Sequence, residues 1–411
     1  MKQPKIRFKG FTREWMQTTL GKLTSNFKYG INAAAMPYDG KNKYLRITDI
    51  DDATRVFLQE NLTTPGADLF YCDDYIMQDG DIVIARTGAS VGKSYIYHVN
   101  DGRVYFAGFL IRMRLNDDVD KDFIFQNTLT ESYANHIKIV SQRSGQPGVN
   151  VDELKSYTLS MPLDKDEQQT IGSYFQHLDS LIQSTTKKIE SLKQVKAASL
   201  QAMFPQEGET TPRVRFKGFE GEWEKVAIKD IASFSKGNGY SKSDLQESGS
   251  PIILYGRMYT KYDVCINDVD TFVVPKPNSV YSFGNEVILP ASGETPEDIS
   301  CASAVKKKGI ILGGDLNILR FDITNNNTTF IALSLSSGET KQELSNMAQG
   351  KSVVHLHNSD IEKVSILMPS YAEQQQIASY FTSLDSQITL HSQRLEKLKQ
   401  IKSACLDNMF V

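Results

Sequence analysis

Cysteine and histidine are scarce in this chain, at four and six residues out of 411. Cys72, Cys265, Cys301 and Cys405 stand far apart with no CxxC pair, which argues against a disulfide framework and against a thiolate metal site. The scattered histidines offer no HExxH pair and suggest no metal cluster. Long uncharged apolar runs are missing, as is an N-terminal apolar leader, so no membrane span or secretion is expected and the reduced cytoplasm is the expected location. Neither sign of charge dominates: 46 Lys and Arg face 49 Asp and Glu, for a net charge of −3. Affinity for nucleic acid comes largely from basic side chains that neutralise phosphates. Any such role here therefore rests on local clusters, such as Lys306, Lys307 and Lys308, and on help from a partner.

What the chain does have is a repeat. PKIRFKGFTREW at 4–15 returns as PRVRFKGFEGEW at 212–223 with 8 of 12 positions identical, an offset of 208. The stretch 167–204, which begins EQQTIGSYF, returns at 373–410 as EQQQIASYF and onward, with 20 of 38 positions identical and an offset of 206. Between these blocks each half carries roughly 150 residues with a common rhythm of strands but little identity. A repeated frame thus holds two divergent inserts, the layout of a molecule that presents two different reading surfaces.

Each half opens with the RFKGF…EW element, whose aromatics (Phe8, Phe11, Trp15; Phe216, Phe219, Trp223) read as core anchors closing a domain. Strand-like runs follow at 43–50, 81–86, 93–99 and 104–115 in the first insert, and at 251–259, 286–292 and 309–321 in the second, separated by turn signals such as Asp79-Gly80 and Asp101-Gly102. Helical stretches are expected at 122–139 and 328–347, each followed by a polar loop and a strand ending in Met161-Pro162 or Met368-Pro369. Aligning those Met-Pro pairs sets Gln142 opposite Gln349 and Asn150 opposite His357. Beyond them, Ile171, Phe175, Leu178, Ile182, Thr185, Ile189 and Leu192 alternate steps of four and three, and the pattern recurs from Ile377, so two long coiled-coil helices are expected. Capping boxes Asp164-x-x-Glu167 and Ser370-x-x-Glu373 mark their starts. At about 1.5 Å rise per residue each rod is roughly 57 Å long. The polar stretch 204–211 lets the chain turn back, and antiparallel pairing of the rods is expected to relate the two inserts by a pseudo-twofold axis.

Motifs for chemistry are thin. Gly88-Ala-Ser-Val-Gly92-Lys93-Ser94 resembles a phosphate loop but has three residues between its glycines where that loop needs four, and a strand-like run follows where a helix is required. A turn between strands, offering Arg86, Thr87 and Lys93 to a phosphate or a base edge, is the better reading. Glu153-Leu-Lys155 fits the tail of a nuclease signature in which carboxylates hold a metal, yet the second half has Asp360-Ile-Glu362 without the lysine. The nucleophile elbow and the glycine-rich and Pro-Pro motifs of adenine methyltransferases are missing. What remains are polar and basic loops. Gln142, Arg143, Ser144, Gln146 and Asn150 in the first half, and Gln349, Lys351, Ser352, His355 and His357 in the second, lie at the same point of the two halves, and Gln, Asn and Arg can make paired hydrogen bonds to adenine or guanine edges. Arg46, Arg86, Thr87 and Lys93, with Tyr240, Lys242, Arg257, Tyr259, Ser292 and Thr295, complete the candidate DNA-contacting set on loop position and chemistry.

The doubled RFKGF…EW element, the Gly80-Asp81…Ile84…Thr87-Gly88 turn, and above all Met-Pro…Glu-Gln-Gln-x-Ile-x-Ser-Tyr-Phe…Leu-Asp…Ile at 161–182 and 368–388 resemble the specificity subunit of type I restriction-modification systems, over nearly the whole chain. The resemblance implies an α+β fold: two target-recognition domains, each reading one half of a split, asymmetric sequence in double-stranded DNA, separated by two long antiparallel coiled-coil helices that set the gap. In this chain the segments are 1–162 and 212–369 for the domains, 163–204 and 370–411 for the helices, and 205–211 for the linker. It further implies a non-catalytic subunit with no catalytic residue, no metal and no cofactor of its own. Two methylation subunits and two motor-nuclease subunits are implied as partners, which bind S-adenosylmethionine, ATP and magnesium. Recognition domains are the variable part of the family, so no base-reading residue is carried over from it.

Overall fold

Strand propensity and burial explain the inserts. In the computed structural model, which describes residues 3–143, 145–350 and 353–411, the run Ile82–Ala85 is buried at every position and forms the middle of an antiparallel sheet ordered Thr24–Tyr29, Leu110–Leu115, Ile82–Ala85, Ser94–Ile96. A continuous apolar run is what a strand covered on both faces requires. The second insert repeats this order with Ala232–Lys236, Leu316–Phe321, Glu286–Pro290 and Ser303–Val305, and adds Cys265–Ile266 in parallel at the edge. A parallel pair also recurs: Lys43–Leu45 with Val104–Phe106, and Ser250–Ile253 with Ile311–Leu312. The two inserts therefore share one topology despite their low identity.

One pair hidden from sequence comparison recurs as well. Asp81, 1 % exposed, accepts two hydrogen bonds from Arg114 at 2.8 and 2.7 Å and one from the Gln78 N–H, while fully buried Glu286 takes the equivalent place with Arg320 and the N–H groups of Phe283, Gly284 and Asn285. Carboxylate oxygens so buried need such donors to be satisfied.

Several expected elements divide. The run 104–115 splits at Ala107–Gly108 because its two parts pair in different sheets, and 309–321 splits in the same way at Gly313–Gly314. The stretch 122–139 becomes Lys121–Asn127 and Glu131–Val140, since the Thr130 hydroxyl accepts from the Tyr133 N–H and starts a new helix. The stretch 328–347 becomes Thr328–Leu335 and Gly338–Met347, broken where Gly338 has φ +56°. Of the expected run 251–259 only Ser250–Ile253 is strand, and Arg257–Thr260 is a helical turn.

The two long helices are Lys165–Met203 and Tyr371–Met409, each of 39 residues. The chain forms two compact units, residues 1–187 with 392–411, and residues 188–391, so the division runs through both helices. In the first unit, Lys402 donates to Asp179 at 2.6 Å and the Tyr174 hydroxyl lies 3.5 Å from Cys405 Sγ, so the two helix segments run antiparallel there. In the second, Lys196 donates to Asp385 at 2.5 Å and Ser199 lies 2.9 Å from the Tyr380 hydroxyl. The four positions of one unit are thus the four of the other shifted by 206, and the Asp of each Leu-Asp motif anchors a lysine of the facing helix. Phe175 and Phe381 are fully buried in the cores of their respective units.

The Glu-Gln-Gln motif does something other than expected at the helix starts. Asp164 accepts from the Asp166 N–H at 3.0 Å and Ser370 from the Glu373 N–H at 3.4 Å, so both cap, but the glutamates do not return to close a box. Glu167 instead takes a paired contact from Arg7 at 2.6 and 2.8 Å plus the Trp15 indole N–H at 3.2 Å, and Glu373 takes Arg215 at 2.6 and 2.7 Å. A guanidinium fork outcompetes one backbone N–H for a buried carboxylate. The next residue, Gln168, accepts from the Asp120 N–H at 3.0 Å and donates to the Pro162 carbonyl at 2.9 Å, and Gln374 does the same with Asn327 and Pro369 at 3.0 Å each. Asp120 and Asn327 cap the insert helices Lys121–Asn127 and Thr328–Leu335, so the motif ties opening element, long helix and insert together.

Candidate nucleic-acid interface

In each insert the loop leaving the central strand pairs with the polar loop that precedes a short capped helix. Thr87 pairs with Gly148 across an isolated bridge and the Val149 N–H donates to the Arg86 carbonyl at 2.8 Å. In the second insert Ser292 and Gly293 pair with His355 and Val354, and the Leu356 N–H donates to the Ala291 carbonyl at 3.0 Å. The capped helices match too: Asn150 closes a box with Glu153, and His357 closes one with Asp360. The structure thus brings Arg86, Thr87, Gln146 and Asn150 to one loop pair, and Ser292, Gln349, His355 and His357 to its counterpart.

Their surroundings differ. The Arg86 guanidinium lies 4.8 Å from the centre of the Tyr29 ring, a cation–π contact, and Gln142, Gln146 and Asn150 are exposed. In the second unit His355 Nδ1 lies 3.0 Å from Ser292 Oγ, and the His355 and His357 rings are parallel with centres 6.3 Å apart, both exposed. Gln349 shares a bridge with His355. One surface thus offers amides and a stacked guanidinium, the other paired imidazoles.

Other candidates are engaged elsewhere. Lys93 is turned inward, with Nζ donating to the Ile50 carbonyl at 2.9 Å and to Asp52 at 2.7 Å, so the turn presents Arg86 and Thr87 without it. That ammonium holds the Asp52 carboxyl below its ordinary value. Arg143, though exposed, gives its Nη groups to Glu153 and to the Val140 and Gln142 carbonyls. Glu153 is thereby shared between Arg143 and its capping box, and Lys155 pairs with Asp152 at 3.2 Å, so the Glu-Leu-Lys tail serves local structure. Arg46 forks onto Asp49 at 2.9 and 2.7 Å. Arg257, 10 % exposed, faces Asp263 and Asp270 at 3.1 and 3.3 Å. Tyr240 shares a hydrogen bond with Ser279, Tyr259 lies against Tyr255, and Thr295 caps the turn Pro296–Ile299. Lys242 is exposed, and Ser144, Lys351 and Ser352 lie outside the described residues.

Gly88 and Gly92, the glycines of the phosphate-loop lookalike, have φ of +78° and +83°. A Cβ on Gly92 would meet Ile137 at 2.7 Å. They serve a tight turn, and that turn borders a cleft of about 1220 Å³ in the first unit, which sequence reasoning did not foresee. Six cations, Arg55, Lys93, Lys138, Arg143, Lys399 and Lys402, line it against two carboxylates, Asp52 and Asp179. Among the described residues no group of three or more His, Cys, Asp or Glu side chains is placed to hold a metal ion, and no helix is long and apolar enough to cross a membrane.

A family model described as the type I restriction modification DNA specificity domain matches residues 31–194 and 220–400. The chain is also 19 % identical over 350 residues to the type I restriction enzyme MjaVIII specificity subunit of Methanocaldococcus jannaschii, a match covering 81 % of this chain and 79 % of that protein. Among solved structures it is similar to the S subunit of a type I restriction-modification system from M. genitalium, with a TM-score of 0.68 and 14 % identity over 100 % of this chain and 99 % of that one.

Proposed function

The chain belongs to the family of type I restriction-modification DNA specificity subunits, and we propose that its two inserts read the two unlike halves of one split, asymmetric DNA sequence. The observation that carries this reading is one topology with two chemistries: Thr87, Gly148 and Asn150 in the first loop pair stand where Ser292, His355 and His357 stand in the second. Side chains on equivalent loops of equivalent scaffolds meet DNA in equivalent poses, and unlike donors and acceptors then select unlike bases. The repeated helices set the spacing between the half-sites and dock two methylation subunits, to which two motor-nuclease subunits add. The chain itself recognises and scaffolds. Methyl transfer and cleavage belong to those partners, which bind S-adenosylmethionine, ATP and magnesium.

Mapping methylated adenines in the genome of a host carrying the intact system tests the reading. Two unlike half-sequences separated by a fixed, unread gap are expected. An uninterrupted or palindromic site would overturn it.

A further inference from the structure

Arg55 is held in an unfavourable state with nothing in the structure to explain it. It is a non-glycine residue at φ +60°, in a turn pinned from several sides. Asp51 accepts from the Ala53 and Thr54 N–H groups and from the Thr54 hydroxyl at 3.1, 2.7 and 2.6 Å, and the Arg55 N–H donates to the Asp51 carbonyl at 3.1 Å. The inward-turned Lys93 clamps the same turn at Ile50 and Asp52. The side chain so positioned lines the basic cleft, and burial pulls its pKa down against the pull of Asp52. Among the described residues its guanidinium makes no hydrogen bond and no ion pair. Tyr133 lines the same cleft, and its buried hydroxyl also has no hydrogen-bond partner among the described residues. Strain and desolvated, unpaired donors gathered at one point mark a site whose ligand completes it.

We propose that Arg55, with Tyr133 beside it and Lys138 and Lys399 at the rim, seats a backbone phosphate of the DNA strand that enters the cleft of the first unit. The ligand is a phosphodiester because a guanidinium fork matches two phosphate oxygens, and because Lys138 and Lys399, also unpaired among the described residues, add positive charge along the cleft. The contact positions the duplex without reading bases. The proposal rests on the DNA-reading function and adds to it a residue that neither the polar loops nor the phosphate-loop lookalike singled out. It also gives the lysine of that lookalike a role, since Lys93 holds the turn that holds Arg55.

The test uses the full chain assembled with its methylation subunits, titrated with a duplex carrying the recognised sequence and with a scrambled duplex at several salt concentrations. Arg55→Ala is expected to weaken binding to both duplexes by the same factor, about five- to twentyfold, and to lower the slope of log affinity against log salt by about 0.9. Arg55→Gly, which relieves the positive φ, is expected to bind as weakly while melting about 1–2 °C higher than the parent, which separates lost binding from lost folding. Unchanged affinity and slope in both variants would overturn the proposal, as would a loss confined to the recognised duplex, which marks a base contact. Competition by millimolar inorganic phosphate or by an acidic peptide, with DNA affinity insensitive to Arg55, would show a different ligand and overturn it too. A parent complex that binds neither duplex contradicts the DNA-reading function itself, an outcome distinct from all of these.

Discussion

Glu167→Ala is expected to destabilise the first unit by about 3–5 kcal/mol, and Glu373→Ala to destabilise the second by about 1 kcal/mol less. Each change leaves a guanidinium, Arg7 or Arg215, without its paired carboxylate in a place where those side chains are only 14 % and 17 % exposed. Removing one member of such a pair strands the other, which is why the loss exceeds the net worth of the contact. The asymmetry comes from the tryptophans. Glu167 also accepts the Trp15 N–H at 3.2 Å, whereas the Trp223 N–H is buried with no partner already among the described residues, so only the first substitution also orphans an indole. The chain has two tryptophans, one in each unit. Fluorescence of single-tryptophan variants during urea unfolding therefore reports the two losses separately. Equal losses would mean that the indole bond to Glu167 contributes nothing.

Phe410→Ala is expected to lower the stability of the first unit by about 3 kcal/mol and to leave the Trp223 transition in place. The ring is buried, with its centre 5.1 Å from that of Phe123 and 5.7 Å from that of Phe175, and the neighbouring Asn408 carbonyl accepts the Ile6 N–H at 2.9 Å. The end of the chain thus completes the unit in which the chain begins. Phe204, whose ring lies 5.6 Å from Phe330 and 6.0 Å from Trp223, has the mirrored part, and the Ala202 carbonyl accepts the Val214 N–H at 2.8 Å. Phe204→Ala should accordingly shift the Trp223 transition. A Phe410→Ala variant that shifts only the Trp223 transition would contradict the assignment of residues 392–411 to the first unit.

The frame was legible in sequence because identity and helical period speak there together: the RFKGF element, the Glu-Gln-Gln start and the four-three seam each mark a buried role. The purpose of the first glutamate was not legible, since a capping box and an Arg clamp use the same residue at the same place, and only tertiary distance decides between them. The shared sheet order of the inserts was visible as rhythm, but Asp81–Arg114 and Glu286–Arg320 were not, because a carboxylate of either length fills the same place. In the candidate interface, alignment on the Met-Pro pairs correctly set Asn150 opposite His357, both caps. Basic residue type was a poorer guide. Lys93, Arg46, Arg143 and Arg257 are bound to nearby carboxylates, while Arg55, in an unremarkable Asp-Asp-Ala-Thr-Arg stretch, carries its signal only in a positive φ and a guanidinium that makes no hydrogen bond among the described residues.

If like parts build the frame and unlike parts read, exchanging residues 20–157, which lie between the frame strands Trp15–Thr19 and Thr158–Pro162, isolates one reader. With the corresponding insert of another family member in place and the rest of the chain untouched, methylated-adenine mapping should show one half of the recognised sequence replaced, the other half kept and the gap unaltered. A site that changes in both halves, or in neither, would contradict the division of labour.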